Sequence, residues 1–322
     1  MTGPLLGVEG LRVTLPHEGE QQPVLHDLSL AIGAGECLGL VGESGAGKSM
    51  TARAILGLLP RGARLGGEVR FQGELVSGLH GGALRGFRRR VGMVFQDPRA
   101  HVNPVRRVGE FLTEGLRQQG VSRAEAIERA VAALAEVGIE DGARRMDQYP
   151  HQLSGGLLQR VMIAAALVDD PLLLLADEPT TALDVTTQSE VMAILDELRR
   201  ARGLGVLFIT HDLDLAVAVC DSLAVMYAGW IVEQGIAATV AGRPSHPYTA
   251  ALARARPRVD HAVARLSAID GRPASAFYVP AGCAFAPRCP HAIQECEAVL
   301  PPLQEVGAGA VRCIRAGELT DV

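Results

Sequence analysis

The stretch that decides the fold reads CLGLVGESGAGKS and spans residues 37–49. Its first five residues form a compact apolar run typical of a buried β-strand, and a helical pattern continues from Lys48 to Leu59. Between them, residues 42–49 fit the spacing G-x-x-x-x-G-K-S. Glycines in such a turn let successive backbone N–H groups face phosphate oxygens, and the helix N-terminus adds partial positive charge. The stretch predicts a phosphate-binding loop, or P-loop; the alternative for an isolated match is a glycine-rich turn that binds nothing.

The eight residues of this loop have separate predicted roles in binding a nucleotide. The Lys48 ammonium would reach the β- and γ-phosphates, and the Ser49 hydroxyl would ligate Mg²⁺. The others would bind phosphate oxygens mainly through their backbone N–H groups. These others are Gly42, Glu43, Ser44, Gly45, Ala46 and Gly47.

Length, charge and hydropathy restrict the class of protein. The 322 residues suffice for one large domain with an appendage, or for two modest domains. The net charge of −5 gives no reason to expect nucleic-acid binding, which usually shows as a basic excess. The N-terminus lacks the features of a signal peptide, and no apolar run approaches the roughly 20 residues of a spanning helix. We therefore expect a soluble, cytosolic chain that reaches a membrane only through a partner.

Apolar strand patterns alternate with helical patterns along most of the chain. Strands are predicted at 37–41, 91–95, 172–176 and 206–210, and the third is apolar on both faces, as interior parallel strands are. A helical block at about 97–168 interrupts the alternation. The pattern predicts an α/β fold with a largely parallel sheet covered by helices.

Two carboxylates, Asp177 and Glu178, close the strand predicted at 172–176. Adjacent strand residues point to opposite sides, so the two groups can have different tasks. Asp177 would hold the Mg²⁺ shell and Glu178 would polarise the attacking water. An isolated acidic pair after a strand is mostly a helix-capping turn, but an upstream P-loop favours the functional interpretation.

Four further motifs accompany the P-loop and the acidic pair. The four are VFQDP with Gln96, LSGGL with Ser154, Gly155 and Gly156, ALD with Asp184, and THD with His211. Alone, the first could be explained as a surface glutamine and the last as a capping histidine. In this order, over roughly residues 8–240, the six motifs resemble those of the ATPases of ABC transporters, in which these four are called the glutamine loop, the signature, the D-loop and the switch histidine.

The resemblance implies both a fold and a mechanism. The fold is a P-loop NTPase (RecA-like) core with an antiparallel β subdomain and a helical insertion that touches membrane subunits. Such ATPases dimerise head to tail, so that ATP lies between the P-loop of one subunit and residues 154–156 of the other. In that arrangement Asp184 would contribute to the nucleotide site, His211 would contact the γ-phosphate, and Gln96 would contact Mg²⁺ or the lytic water.

The chain departs from the family pattern at two places. Leu157 stands where the signature usually ends in glutamine, and we expect activity to survive because Ser154 and the glycine backbone make the anion contact. The family also places an aromatic ring near the first strand to stack on adenine. Here Leu15 and His17 are the candidates for packing on the base.

A segment after the ATPase core points to a subfamily. HPYT at 246–249 resembles the ATP-binding subunits of oligopeptide, dipeptide and nickel importers, as do YPHQL at 149–153 and DEPTTALDV at 177–185. Further details are similar to the first, D-type, of its two paired ATPases. We expect a nucleotide-binding domain at 1–256 and a C-terminal extension at 257–322, where Pro, Gly, Cys and Arg become more frequent.

The subfamily implies partners and a location. The partners are a distinct F-type ATPase subunit, two transmembrane permease subunits and an extracellular or periplasmic solute-binding protein, with no nucleic acid. The chain would lie at the cytoplasmic face of the cell membrane. An exporter ATPase and a soluble ABC ATPase without a transport role are the alternatives.

Four cysteines crowd into the extension, where they suit either a [4Fe–4S] cluster or a structural Zn²⁺, or else hold no metal. The close Cys-x₂₋₄-Cys pairs typical of zinc sites do not occur among them, and the subfamily resemblance implies the cluster. The other two cysteines, Cys37 and Cys220, lie in apolar runs and are expected in the core. The four candidate ligands are Cys283, Cys289, Cys296 and Cys313.

Overall fold

A computed structural model describes residues 3–180, 183–255, 269–277 and 279–318. Contacts divide the chain into two units. The first unit comprises residues 1–32, 37–78 and 208–322, and the second comprises 33–36 and 79–207. The P-loop therefore belongs to the first unit and the predicted helical block to the second.

The described residues form strands of 2 to 13 residues and α-helices of 4 to 18 residues. The strands are β1 Leu6–His17, β2 Glu20–Ile32, β3 Cys37–Val41, β4 Arg64–Phe71, β5 Glu74–Leu75, β6 Val91–Val94, β7 Leu173–Asp177, β8 Gly205–Thr210, β9 Ser222–Tyr227, β10 Trp230–Ile236, β11 Gln304–Val306 and β12 Gly309–Val311. The helices are α1 Lys48–Ile55, α2 Gly81–Arg89, α3 Pro98–His101, α4 Val108–Gln118, α5 Arg123–Glu136, α6 Gly142–Arg145, α7 Gly155–Leu167, α8 Val185–Arg202, α9 Leu213–Val219, α10 Ala237–Gly242, α11 Pro247–Arg254 and α12 Gln294–Ala298.

An antiparallel sheet of the first unit has the strand order β2-β1-β4-β5. In β1 the buried side chains of Leu6, Val8, Leu11 and Val13 face the core, while exposed residues lie between them. This spacing is that of a strand with one buried face, interrupted by a bulge between Val8 and Leu11. The sheet matches the antiparallel β subdomain expected from the family.

A second sheet of the first unit holds the P-loop strand. There the order β11-β12-β10-β9-β3 places β3 beside β9, parallel to it, with Leu38 opposite Ser222. All five residues of β3 are buried. A Cβ on Gly39 would lie 2.4 Å from Leu223 Cδ2, so a larger residue here would force the Leu223 side chain to move. The buried strand fixes the point at which the P-loop begins.

The helix after the P-loop is shorter than the sequence pattern predicts. It ends at Ile55 rather than near Pro60, because Gly57 adopts a left-handed φ of 64°. The Leu58 N–H then donates to the Arg53 carbonyl at 2.7 Å, which closes the helix end.

In the second unit, β6 and β7 pair in parallel, with Val91 opposite Leu173 and Val94 opposite Ala176. Helices α3 to α7 fall within residues 97–168, the block predicted to be helical. Helices α4, α5 and α7 contact one another and bury apolar faces that include Leu116. The second unit thus combines the parallel pair of β6 and β7 with a packed group of helices that includes α7.

Part of the C-terminal extension joins the second sheet of the first unit. Strand β12 pairs antiparallel with β10, where Val311 lies opposite Glu233. The predicted boundary between residues 256 and 257 lies outside the described residues. The described residues beyond it belong to the same unit as the P-loop. Within the parts of the chain that the structure describes, no helix has both the length and the apolar character needed to cross a membrane.

Candidate nucleotide-binding site

Two positions of the P-loop favour glycine, because neighbouring atoms leave little room for a side chain. A Cβ on Gly42 would lie 2.2 Å from the Met226 carbonyl oxygen. A Cβ on Gly47, whose φ is 105°, would lie 2.7 Å from Leu25 Cδ2. Both positions therefore exclude larger residues, and the loop can turn sharply between β3 and α1.

The start of α1 offers N–H groups for an anion. Gly47 occupies the N-cap position and gives no side-chain hydrogen bond, and the first turn carries no acidic residue. Such a helix start favours a bound negative charge. The Lys48 side chain is 5% exposed, and its ammonium donates to the carbonyls of Gly42 at 2.7 Å and Glu43 at 3.0 Å. The Lys48 ammonium thus lies against the loop whose N–H groups would bind the phosphate oxygens.

The acidic pair ends strand β7 in the second unit. Asp177 is the last residue of the strand and is 3% exposed. Glu178 follows with a φ of 46°, a conformation uncommon outside glycine and a sign of local strain. The Gln96 side-chain amide donates to Glu178 Oε2 at 3.0 Å. The structure therefore brings together two of the three predicted catalytic residues.

The signature residues form the start of helix α7. Ser154 is the N-cap, and its hydroxyl accepts the Leu157 N–H at 3.3 Å. Ser154 and Gly155 are exposed. A Cβ on Gly155 would meet open space, whereas a Cβ on Gly156 would lie 2.5 Å from Thr187 Cγ2. The helix start is therefore accessible at Gly155 and tightly packed at Gly156.

Asp184 acts as a helix cap in the structure. Its carboxylate accepts the N–H groups of Thr186 at 3.1 Å and Thr187 at 3.0 Å, at the start of α8. The Thr187 hydroxyl also donates to it at 2.8 Å. These hydrogen bonds, with that of the Thr187 N–H first, lower the pKa of Asp184. Thr187 therefore contacts both the predicted D-loop aspartate and the packed glycine of the signature.

The predicted switch histidine belongs to the first unit. His211 is exposed and directly follows β8. The next residue, Asp212, caps α9 by accepting the N–H groups of Asp214 and Leu215, and its own N–H donates to the Thr210 hydroxyl. The helix cap holds the backbone on one side of His211 and β8 holds it on the other.

Comparison with known proteins agrees with these motifs. Residues 25–181 match the ABC transporter family, and residues 232–296 match the family described as the C-terminal region of oligopeptide/dipeptide transporters. The oligopeptide transport ATP-binding protein OppD of Salmonella typhimurium is 45% identical over 96% of this chain and 92% of its own length. The OppD of Haemophilus influenzae is 40% identical over 96% of both chains.

The chain belongs to the ABC transporter ATPases.

Solved structures of this family share the fold. The cassette described as the dimeric structure of MJ0796, a bacterial ABC transporter cassette, superposes with a TM-score of 0.64 at 29% identity. The match covers 72% of this chain and 98% of that one. The cbiO1 protein of Clostridium perfringens gives a TM-score of 0.65 at 29% identity, over 75% of this chain and 92% of its own. The predicted ABC ATPase fold is confirmed.

In this ABC ATPase, the HPYT segment makes hydrogen bonds that reach the P-loop. His246 is buried, and its Nδ1 accepts the Tyr248 N–H at 3.0 Å to cap α11. Burial lowers the pKa of His246 to about 3, so the ring is neutral in the folded chain. The Glu233 carboxylate accepts the N–H groups of Ser245 and His246. The buried Tyr248 hydroxyl in turn accepts the Glu43 N–H at 2.8 Å.

Sequence reasoning missed a second contact with the same P-loop residue. Arg288, in the C-terminal extension, donates to both carboxylate oxygens of Glu43, at 2.7 Å and 3.2 Å. These hydrogen bonds raise the pKa of Arg288. The only signal in the sequence was a single arginine beside Cys289, which does not reveal a partner 245 residues away.

The four predicted metal-ligating cysteines line one cavity of the first unit. Burial raises the pKa of the Cys283 thiol to about 11, and it also raises the pKa values of Cys289 and Cys313. Across the described residues, no three His, Cys, Asp or Glu side chains are arranged to hold a metal ion as they stand. The donors are thus gathered in one place, and binding would require the thiols to lose their protons.

The region expected to contact adenine has an aromatic ring from the extension. Phe277 stacks on His17, with ring centroids 4.5 Å apart and planes 22° apart. Leu15, the other candidate, is partly exposed on β1. The two cysteines expected in the core, Cys37 and Cys220, are buried with their sulfurs 3.3 Å apart.

Proposed function

We propose that this ABC ATPase powers the import of oligopeptides or dipeptides through a membrane transporter. The hydrogen bond between Gln96 and Glu178 carries the ATPase part, because it orients the carboxylate that would activate water. The full-length similarity to oligopeptide transport ATP-binding proteins supports the peptide part. A related small solute such as nickel is the alternative cargo within the subfamily.

The proposed roles follow from the position of each group in its own unit. Lys48 and the loop residues would bind the phosphates of ATP, and Ser49, Asp177 and Gln96 would hold Mg²⁺. When bound, Mg²⁺ neutralises the charge that develops on the phosphates. Glu178 would accept a proton from the attacking water, and His211 would donate to the γ-phosphate.

We also propose a head-to-tail dimer in which the start of α7 completes the site of the other subunit. The exposure of Ser154 and Gly155 supports this, because their helix start can approach an anion from outside. Asp184 would contribute at the same seam while capping α8. The second ATPase would be the F-type subunit expected for this subfamily.

The proposed complex contains two permease subunits and an extracellular or periplasmic solute-binding protein, so the ATPase lies at the cytoplasmic face of the membrane. Within it, residues 1–256 would act as the nucleotide-binding domain, with the helical insertion toward the permeases, and 257–322 as the extension. Nucleic acid plays no part in this proposal.

The decisive experiment is peptide uptake by the complete transporter in proteoliposomes. We expect uptake with enclosed MgATP, and loss of both uptake and ATP binding in Lys48→Ala, because the substitution removes the charge from the phosphate-binding loop. Uptake that continues at the wild-type rate in Lys48→Ala would refute the proposed role of the chain.

For the four-cysteine cavity we propose a [4Fe–4S] cluster rather than a single Zn²⁺. Its support is that four thiols line one cavity and that they lack the close Cys-x₂₋₄-Cys pairs typical of zinc sites. Cys283, Cys289, Cys296 and Cys313 would be the ligands.

Metal analysis of protein purified without oxygen tests this. We expect about four iron atoms and matching sulfide per chain, lost in Cys289→Ser. Cys220→Ser is the matched control, because Cys220 is a buried core residue outside the cavity, and it should keep the iron. A colourless wild-type protein that holds zinc would contradict the cluster.

A further inference from the structure

Arg288 links the four-cysteine segment, residues 283–313, to the P-loop by a two-point ion pair. Its Nη1 donates to Glu43 Oε2 at 2.7 Å and its Nη2 donates to Glu43 Oε1 at 3.2 Å. The arginine side chain is 5% exposed and the glutamate side chain 23% exposed. Paired contacts of this kind between guanidinium and carboxylate are directional and stronger than neutral hydrogen bonds.

The guanidinium is held from several sides besides Glu43. Nη1 also donates to the Tyr227 hydroxyl at 3.2 Å, on strand β9. Nε donates to the Asp270 carbonyl at 2.8 Å and Nη2 to the Ile269 carbonyl at 3.3 Å. With its donors engaged at fixed backbone and side-chain acceptors, the group cannot follow Glu43 freely. Arg288 therefore acts as an anchor rather than as a mobile surface charge.

Glu43 is held at its backbone as well as at its carboxylate. Its N–H donates to the buried Tyr248 hydroxyl at 2.8 Å, and its carbonyl accepts from the Lys48 ammonium at 3.0 Å. Glu43 directly follows Gly42, where the strand turns into the loop. A shift of Glu43 would therefore move the backbone at the entrance of the P-loop and one of the acceptors that place Lys48.

The backbone that carries Arg288 also carries two of the cavity cysteines. Residues Ala286–Arg288 form one turn of 3-10 helix between Cys283 and Cys289. The Cys289 N–H donates to the Ala286 carbonyl, and the Cys283 N–H donates to the Cys296 carbonyl at 2.7 Å. The position of the guanidinium thus depends on the fold of the segment around the cavity.

We propose that Arg288 is a positioning residue for the P-loop: by holding Glu43, it makes nucleotide affinity depend on the folding of the four-cysteine segment. The inference rests on the proposed function, in which this loop binds MgATP. Arg288 itself would not contact the nucleotide. Disturbing the cysteines weakens nucleotide binding only through the arginine.

A purely structural ion pair predicts a different outcome. It would change the stability of the extension and leave the dissociation constant for MgATP unchanged. Removing one partner of a largely buried charge pair commonly has a large effect, because the remaining charge loses its partner. For a positioning role, that effect appears in nucleotide affinity.

The test measures MgATP binding to the full-length chain by calorimetry. We expect Arg288→Met to raise the dissociation constant by about 10-fold, the scale of a lost charged hydrogen bond. Arg288→Lys should recover part of the affinity, since it keeps the charge but not the two-point geometry. The matched control is Arg243→Met, an exposed arginine of the same unit that lines neither the cysteine cavity nor the P-loop; it should bind MgATP like the wild type.

Double variants test whether the cysteines affect the P-loop through Arg288 and Glu43. Glu43→Gln should weaken binding in the wild-type background and add little in Arg288→Met, because the two residues act as one pair. If Arg288→Met does not fold, Glu43→Gln probes the same pair from the P-loop side. Cys296→Ser should weaken MgATP binding in the wild type and have no further effect in Arg288→Met.

Two results would overturn the inference. One is an Arg288→Met protein that binds MgATP with wild-type affinity. The other is a Cys296→Ser effect of equal size with and without Arg288, which would exclude the arginine as the route. A wild-type chain that binds no MgATP contradicts the proposed function itself, and so is distinguishable from both.

Discussion

At the residue scale, the proposed chemistry depends on a few groups whose neighbours orient them. Glu178 combines a left-handed backbone with a hydrogen bond from Gln96, so its carboxylate is oriented before any water is bound. An oriented carboxylate can accept a proton without first reorganising, and this favours general-base catalysis.

Glu178→Gln should lower ATP hydrolysis by about 100-fold or more and leave ATP binding intact, because only the proton acceptor is removed. Steady-state phosphate release and nucleotide binding measure the two effects. Glu197→Gln, an exposed substitution on α8, is the matched control and should hydrolyse ATP normally. Turnover in Glu178→Gln equal to that of the control would remove Glu178 from the mechanism.

Gln96 is predicted to act through the same carboxylate. Gln96→Ala removes the amide donor to Glu178 Oε2, so hydrolysis should fall by about 10-fold, the scale of one hydrogen bond to a charged group. The effect should be small when Glu178→Gln is already present, since the oriented group is then gone. Equal losses in both backgrounds would show that Gln96 acts through its proposed contact with Mg²⁺ rather than through Glu178.

At the scale of the elements, the starts of two helices differ in their capping. Helix α1 begins at Gly47 without a side-chain cap, whereas α7 begins at Ser154 with one. The uncapped start suits direct phosphate binding, and the capped start is exposed where another subunit could reach it.

Ser154→Ala should destabilise α7 by about 1 kcal/mol and should also weaken ATP-dependent dimer formation. Ser122→Ala is a matched control, because Ser122 caps α5 by accepting the Glu125 N–H at 3.2 Å and lies outside the signature. Thermal unfolding should show similar losses in both variants. Light scattering with ATP and the F-type partner subunit should show a dimer defect in Ser154→Ala alone; the same defect in both would assign the effect to helix stability.

At the scale of the whole molecule, the P-loop is tied to the HPYT segment through Tyr248 and to the C-terminal extension through Arg288. The two sheets of the first unit also meet at a ring pair, where His26 of β2 stacks on Trp230 of β10 at 4.8 Å. Burial lowers the pKa of His26, so this ring favours the neutral form in the folded chain.

This pair predicts a dependence of stability on pH. The unfolded chain takes up a proton on His26 below about pH 6.5 while the folded chain resists it, so the free energy of unfolding should fall as pH decreases through that range. His26→Phe keeps a ring on Trp230 and should reduce the fall between pH 7 and pH 5 in denaturant titrations. The exposed His80→Phe should leave it unchanged. An identical fall in all three proteins would contradict the assignment.

The sequence by itself determined the ABC ATPase fold, the P-loop and the order of the motifs. These are local patterns. Glycine spacing, apolar strands and polar residues at strand ends can be recognised without knowing how distant parts of the chain pack. The helical block and the antiparallel strands followed from periodicity and from the family. Even the expected burial of Cys37 and Cys220 came from their apolar neighbours.

Only the tertiary structure decided which distant groups meet. The Gln96–Glu178 bond joins residues 82 positions apart, and the Arg288–Glu43 pair joins residues 245 positions apart. The stacking of Phe277 on His17 and the pairing of β12 with β10 are of the same kind. Such contacts depend on how sheets and the extension pack, and side-chain packing over long separations leaves no periodic trace in a single sequence.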